Sequence, residues 1–269
     1  MTVHADIDAA SGHVIADGHR LRVQHIQGPA GRPTLVFLHE GLGSIPQWRD
    51  FPAKACAIAG LPGLVYERSG HGDSDPVTLP RPDDFLHREA ERVLPAVLAA
   101  CGIGRHVLLG HSDGGTAALI YAAFYPQRPM AVITMAAHVM MEATTREALA
   151  GVAERWRSDP QFAARLARYH GDNTDSLLSG WLDVWMRESM RNWSIVDCLS
   201  RITCPLLAIQ GDSDEHGSWH QVEAIVEGTS GPAEAFRVPA CGHVPHLEAG
   251  AVVLERIKAF LDTLPLAPG

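Results

Sequence analysis

Gly110-His111-Ser112-Asp113-Gly114-Gly115 is the stretch whose reading decides the fold. Before it runs His106-Val107-Leu108-Leu109, short and apolar enough for a buried strand. After it, Thr116 to Phe124 reads as a helix apolar nearly all round, and therefore deeply buried. A strand that turns through Gly-x-Ser-x-Gly into a helix holds the serine at the apex of a sharp, strained turn. Glycines at 110 and 114 remove the Cβ atoms that would clash across that turn, and Gly115 lets the helix approach the sheet. Ser112 Oγ is thereby presented to a pocket, with a helix N-terminus behind it that favours developing negative charge. The plain alternative is a Gly-rich turn with an incidental serine, and its weight depends on what the rest of the chain supplies.

Working outward, short apolar runs alternate with helical patterns. Residues 13–27 read as a hairpin with Asp17-Gly18 at its turn. Strands are predicted at 33–38, 64–66, 130–135, 205–209 and 235–238. Helices are predicted over 48–59, 83–101, 219–227 and 247–264. This alternation indicates an α/β fold, a mostly parallel sheet with helices on both faces. Ligands in such sheets gather at the C-terminal ends of the strands. The loops His39-Glu40-Gly41-Leu42-Gly43-Ser44, Gln210-Gly211-Asp212-Ser213-Asp214-Glu215 and Cys241-Gly242-His243-Val244-Pro245-His246 all lie there.

Residues 139–200 break the alternation. No strand is evident over about sixty residues, far too long for a plain connection. Helical periodicity takes its place: Ala148, Val152, Trp156; Phe162, Leu166, Tyr169; Leu178, Leu182, Trp185, Met186. Trp156, Trp181, Trp185 and Trp193, four of the six tryptophans, fall here. The segment reads as a helical cap inserted over the strand ends, its tryptophans an apolar roof over a pocket.

Bulk properties narrow the function. A chain of 269 residues buries a large core without staples. Its formal charge of −9, with no Lys/Arg cluster, argues against a nucleic-acid partner. No apolar run reaches membrane-span length and no basic-then-apolar leader opens the chain, so no membrane partner is expected. Five scattered cysteines suggest reduced thiols and a cytoplasmic location. His243, His246 and Glu248 lack the His-Glu-x-x-His spacing of zinc hydrolases, and neither metal nor cofactor is expected.

Acyl transfer needs a nucleophile, a base and a group to orient the base. The chain offers them in the order serine, acid, histidine, each on a loop after a predicted strand: Ser112, then Asp212 or Asp214, then His243. The loop must curl back toward the histidine, which gives the later aspartate more reach, but both remain open on this ground. His138 ends a strand on the pocket side, and Cys241 reads as a small buried filler.

At these loops, and at Tyr66-Glu67-Arg68-Ser69-Gly70-His71-Gly72-Asp73-Ser74, the chain resembles the α/β-hydrolase fold proteins with a helical cap. The resemblance implies an eight-stranded sheet, with a core of residues 1–138 and 201–269 and a cap of 139–200. It implies that the acid is Asp214, three positions after the strand-end glycine. It implies an oxyanion hole from the backbone N–H of Asp113 and a second donor, Gly41 or Leu42, since His39-Glu40-Gly41-Leu42-Gly43 stands where His-Gly-x-Gly is commoner. A serine at the elbow excludes the family's dehalogenase and epoxide-hydrolase mechanisms. The expected activity is a serine hydrolase cleaving a small carboxylic ester, thioester or lactone through an acyl-enzyme. His138, Trp181, Trp185 and Val244 are the candidate substrate-binding residues, and self-association is left open. The alternatives are a C–C bond hydrolase of the meta-cleavage type, although those usually carry Asn-Ser-Met where this chain has His-Ser-Asp, and a ligand-sensing receptor on the same fold.

Overall fold

A computed structural model describes residues 12–267. The sheet is built around β5 (His106–His111), buried at every residue, which pairs in parallel with β3 (Thr34–Leu38) on one side and β6 (Pro129–Met135) on the other. With β1 (His13–Ala16), β2 (His19–Ile26), β4 (Gly63–Tyr66), β7 (Leu206–Gly211) and β8 (Ala233–Val238), the eight strands lie in the order β1-β2-β4-β3-β5-β6-β7-β8. Only β1 and β2 run antiparallel to their neighbours. Asp17 and Gly18 join these two, both at positive φ, as a tight two-residue hairpin turn requires. The inner parallel strands are continuous apolar runs because both faces are covered.

Alternation along the strands divides the core in two. Val36, Leu108, Val132 and Ala208 face one layer, with the helix α4 (Asp113–Phe124) against them. Phe37, Leu109, Ile133 and Ile209 face the other, covered by α1 (Phe51–Ala59) and the C-terminal helix Gly250–Leu261. Helix α4 is buried from Asp113 through Ala123, as its all-round apolarity predicts.

Three predicted helices are interrupted, each for a local reason. The helix expected over 83–101 runs as α2 (Phe85–Arg88), a π-helical turn (Glu89–Val93) and α3 (Leu94–Ala100). Pro95 has no N–H to give the Glu91 carbonyl four residues back, and Tyr125 Oη donates to that carbonyl instead, at 2.8 Å. Trp48 belongs to a separate 3₁₀ turn, Pro46–Trp48, and Arg49 at φ 53° stands before α1. The expected closing helix over 247–264 is split at Ala249, leaving a short turn at Pro245–Glu248 ahead of Gly250–Leu261.

Between β6 and β7 the chain forms α5 (Ala143–Ser158), α6 (Pro160–His170), α7 (Thr174–Met186) and α8 (Val196–Leu199). The first three pack on one another, whereas α8 returns to the core against α4 and α9 (His220–Gly228). A β-bridge between Met140 and Ser194 closes the base of this segment where it leaves the sheet. Among the described residues no helix is long and apolar enough to cross a membrane.

Candidate active site

Ser112 sits between β5 and α4 at φ 50°, ψ −121°. The strain is imposed by packing: a Cβ at Gly110 would overlap the Gly114 carbonyl, and one at Gly114 would overlap the Leu38 carbonyl. Ser112 N–H donates to Met135 O at 2.9 Å, which fixes the turn to β6.

From Ser112 a line of hydrogen bonds crosses three strand ends. Ser112 Oγ lies 3.0 Å from His243 Nε2, and His243 Nδ1 donates to Asp214 at 2.9 Å to Oδ1 and 3.1 Å to Oδ2. The Asp214 carboxylate is 1 % exposed and also accepts from the His216 N–H (2.8 Å) and Gln210 Nε2 (3.2 Å). Asp212 points elsewhere; its carboxylate is exposed and accepts from Ser213 Oγ. The loop carrying His243 is tied by Glu248, whose carboxylate accepts from the N–H groups of Gly242 (2.7 Å) and Val244 (3.0 Å). His111, the residue before the serine, donates from Nε2 to the His243 carbonyl at 2.7 Å and so steadies the ring from behind.

Burial pushes His243 down to about 3, although the hydrogen bond and charge of Asp214 pull the other way. The ring is therefore neutral at rest, with Nδ1–H toward Asp214 and the lone pair of Nε2 toward Ser112. For Asp214 burial alone would raise the pKa, but the hydrogen bond and charge of His243 and the His216 amide outweigh it, and the net shift is downward. A neutral imidazole held between a hydroxyl and a buried carboxylate can take the hydroxyl proton and hold the resulting charge.

The loop after β3 is held from below by residues that sequence reading did not assign. Arg68 Nη2 donates to the carbonyls of His39 (3.1 Å) and Glu40 (2.5 Å). His71 Nε2 donates to Gly41 O, and His170 Nε2, whose Nδ1 accepts from Gly72 N–H, donates to Leu42 O, both at 3.0 Å. In a trans peptide the N–H points opposite to the preceding carbonyl. With the Glu40 carbonyl turned to Arg68 and the Gly41 carbonyl to His71, the N–H groups of Gly41 and Leu42 point away from both. Neither of these amides, nor that of Asp113, has an acceptor among the described residues.

A cavity of about 30 Å³ opens on Ser112, Asp113, His138, Trp181, Trp185 and His216, with Met140, Met141, Thr145, Leu149 and Trp193 completing its wall. His138, Trp181 and Trp185, expected at the pocket, line this cavity. Val244, also expected there, lines a separate cleft of about 220 Å³ with Trp48, His111 and His246. Trp156 also lies away from the Ser112 cavity, on an outer groove with Met186. The Asp113 carboxylate, 5 % exposed, accepts from Trp181 Nε1 at 3.0 Å, so α7 is hydrogen-bonded directly to the residue after the serine. Gly41 lies beneath that indole, with no room there for a Cβ. His216, whose ring centroid is 4.3 Å from that of His243, was foreshadowed only by its place two residues after Asp214.

Set against known proteins, residues 33–187, more than half of the chain, match the family model of the alpha/beta hydrolase fold. A 2-succinyl-6-hydroxy-2,4-cyclohexadiene-1-carboxylate synthase of Serratia proteamaculans is 27 % identical over 87 % of this chain and 95 % of its own. A 2-hydroxy-6-oxononadienedioate/2-hydroxy-6-oxononatrienedioate hydrolase of Burkholderia vietnamiensis is 34 % identical, over 46 % of this chain and 42 % of its own. Among solved structures, the enol-lactonase from Burkholderia xenovorans LB400 superposes with a TM-score of 0.70 at 18 % identity, over 93 % of this chain and 99 % of the other.

Proposed function

The chain belongs to the alpha/beta hydrolase fold family, and from that premise we propose that it is a serine hydrolase cleaving a small, uncharged carboxylic ester, thioester or lactone through an acyl-enzyme on Ser112. The observation that carries this reading is the unbroken line from Ser112 Oγ through His243 to Asp214, with Ser112 strained at the head of α4. His243 Nε2 takes the Ser112 proton as Oγ attacks the carbonyl carbon. The oxyanion forms toward the Asp113 N–H and the amide of Gly41 or Leu42, each such donor contributing about 3–4 kcal/mol. His243 then returns the proton to the departing alcohol, and water repeats the sequence to release the acid.

The substrate class follows from the cavity. Its wall contains no lysine or arginine, and its one carboxylate, on Asp113, repels an anionic acyl group. About 30 Å³ leaves room for an acyl group of a few heavy atoms against indole and thioether surface. These features weigh against anionic molecules like those in the relatives' names, a carboxylate for the synthase and a dioate for the hydrolase. A second reading, C–C bond hydrolysis of the meta-cleavage type, draws its support from those same relatives and uses the same serine chemistry.

Turnover of p-nitrophenyl acetate, butyrate and octanoate, beside p-nitrophenyl hemisuccinate, tests the proposal. The acetate should be favoured and the hemisuccinate disfavoured by at least about tenfold in kcat/KM. Ser112→Ala should retain the fold and lose nearly all activity. Activity within tenfold of wild type in a folded Ser112→Ala protein removes Ser112 from the chemistry, and a preference for the hemisuccinate overturns the substrate class.

A further inference from the structure

A second cavity, of about 260 Å³, lies between the loop after β4 and helix α2, and shares no lining residue with the cavity at Ser112. In a chain of net charge −9 it gathers four arginines, Arg68, Arg81, Arg88 and Arg92, against Val77 and Phe85. The outer two have exposed partners: Arg88 pairs with Asp84 at 2.8 Å and Arg92 with Asp17 at 3.1 Å. The inner two differ. Arg68 and Arg81 are each only 5 % exposed. Arg68 gives Nη2 to the loop after β3 but leaves Nε buried without an acceptor. The Arg81 side chain makes no hydrogen bond among the described residues; Nε and Nη2 are buried and unpartnered, with Gly180 and Gly70 packed against them and the face of Phe85 5.7 Å away.

Nearby negative charge offsets this only in part. The charges of Asp113 and Glu89 both favour protonated Arg81, but neither carboxylate hydrogen-bonds its guanidinium among the described residues: Asp113 accepts from Trp181 Nε1 at 3.0 Å, and Glu89 accepts from Tyr66 Oη at 2.6 Å while burial raises its pKa toward the neutral form. Burial lowers Arg81 to about 10, which still leaves it protonated near neutral pH. A guanidinium taken out of water without acceptors is strongly unfavourable, and its planar fork matches the two oxygens of a carboxylate. The apolar wall beside it suits the body of a small molecule more than a bare ion.

We propose that this cavity binds a small monocarboxylate with an apolar body, the carboxylate held by Arg81 together with Arg68 and the body resting on Phe85 and Val77. The site shares no lining residue with the Ser112 cavity and does not depend on the chemistry proposed there, although Arg68 also holds the loop after β3. Benzoate is the probe, titrated calorimetrically into the full chain at constant ionic strength beside acetate and inorganic phosphate. Benzoate should bind saturably, with acetate and phosphate each weaker by about tenfold or more, since neither has a body to bury. Arg81→Met should weaken benzoate by about tenfold or more, and Arg88→Gln, at the exposed rim, by a few-fold. Should Arg81→Met fail to fold, the wild-type protein still decides: the Nε–H resonances of Arg68 and Arg81 should shift saturably with benzoate. Absence of saturable binding, an Arg81→Met protein that binds as wild type, or unmoved arginine resonances overturns the proposal. Phosphate binding more tightly than benzoate overturns the carboxylate assignment.

Discussion

Acidification from about pH 7.5 to about pH 5 should strip this fold of much of its stability, because several buried histidines resist protonation. Burial pushes His170 down to about 4, His243 to about 3 and His246 to about 2, against 6.5 for a free side chain. The unfolded chain thus takes up protons below 6.5 that the folded chain refuses until the pH is far lower. Each of the three contributes stability that is fully present above 6.5 and is lost as the pH falls toward its folded value. The loss is about 1.4 kcal/mol per pH unit for each group, or about 2 kcal/mol by pH 5, and about 6 kcal/mol for the three together. Burial lowers His39 and His71 as well, adding to the loss. Glu67 and Glu89, raised by burial, act in the opposite sense and recover part of it. Against a typical stability of about 5–15 kcal/mol, the net change is large. Urea denaturation at the two pH values measures it, and His246→Phe should reduce the pH slope by about one proton's worth. A total change below about 2 kcal/mol, or histidine resonances that titrate near 6.5 in the folded protein, would refute the reasoning.

Asp214→Asn should lower kcat by about 10⁴ by leaving His243 in the wrong tautomer, whereas Asp212→Asn should be nearly silent; steady-state kinetics of both variants checks the ranking. Trp181→Phe removes the indole N–H from a buried carboxylate, and a double-mutant cycle with Asp113→Ala, followed by chemical denaturation, should give a coupling of about 1.5–3 kcal/mol. Trp185→Ala enlarges the Ser112 cavity and should move the acyl-chain optimum to longer esters, by about 0.8 kcal/mol for each methylene newly accommodated; an unchanged chain-length profile would make Trp185 a packing residue only.

The parts of this protein that were legible in its sequence are those fixed by local stereochemistry. The elbow could be read because Gly110 and Gly114 are required wherever a serine is held between a strand and a helix at positive φ. The strands could be read from apolar runs, and the position of Asp214 relative to Gly211 from the motif. What could not be read depends on contacts between distant segments. Nothing in the neighbourhood of Pro95 reveals that Tyr125, thirty residues on, accommodates the π-helical turn. Trp185 resembles any amphipathic-helix tryptophan until Phe85 and Trp193 are found edge-on to it at 5.6 and 4.9 Å. Val244 directly follows His243, yet it lines a separate cleft with Trp48 and His246, and Glu248 holds its N–H.

The same distinction explains how the site is held. Ser112, Asp214 and His243 stand on loops that leave parallel strands of one sheet, and their placement needs little more than the register of β5 through β8. The amides of Gly41 and Leu42 have no comparable scaffold, since their loop contains two glycines and is intrinsically free. Their orientation is supplied by three donors from two other places: Arg68 and His71 after β4, and His170 at the end of α6. Burial keeps His71 and His170 uncharged, so each presents one N–H and adds no cation beneath the loop. His170 also accepts from Gly72, and Asn173 Nδ2 donates to the carbonyls of Gly72 and Ser74. The helical segment between β6 and β7 is therefore anchored at the same peptides that aim the loop after β3, and Trp181 adds a second anchor at Asp113. Displacing α6 and α7 would release Leu42 and Asp113 together, so this segment is a structural part of the Ser112 site as well as its roof.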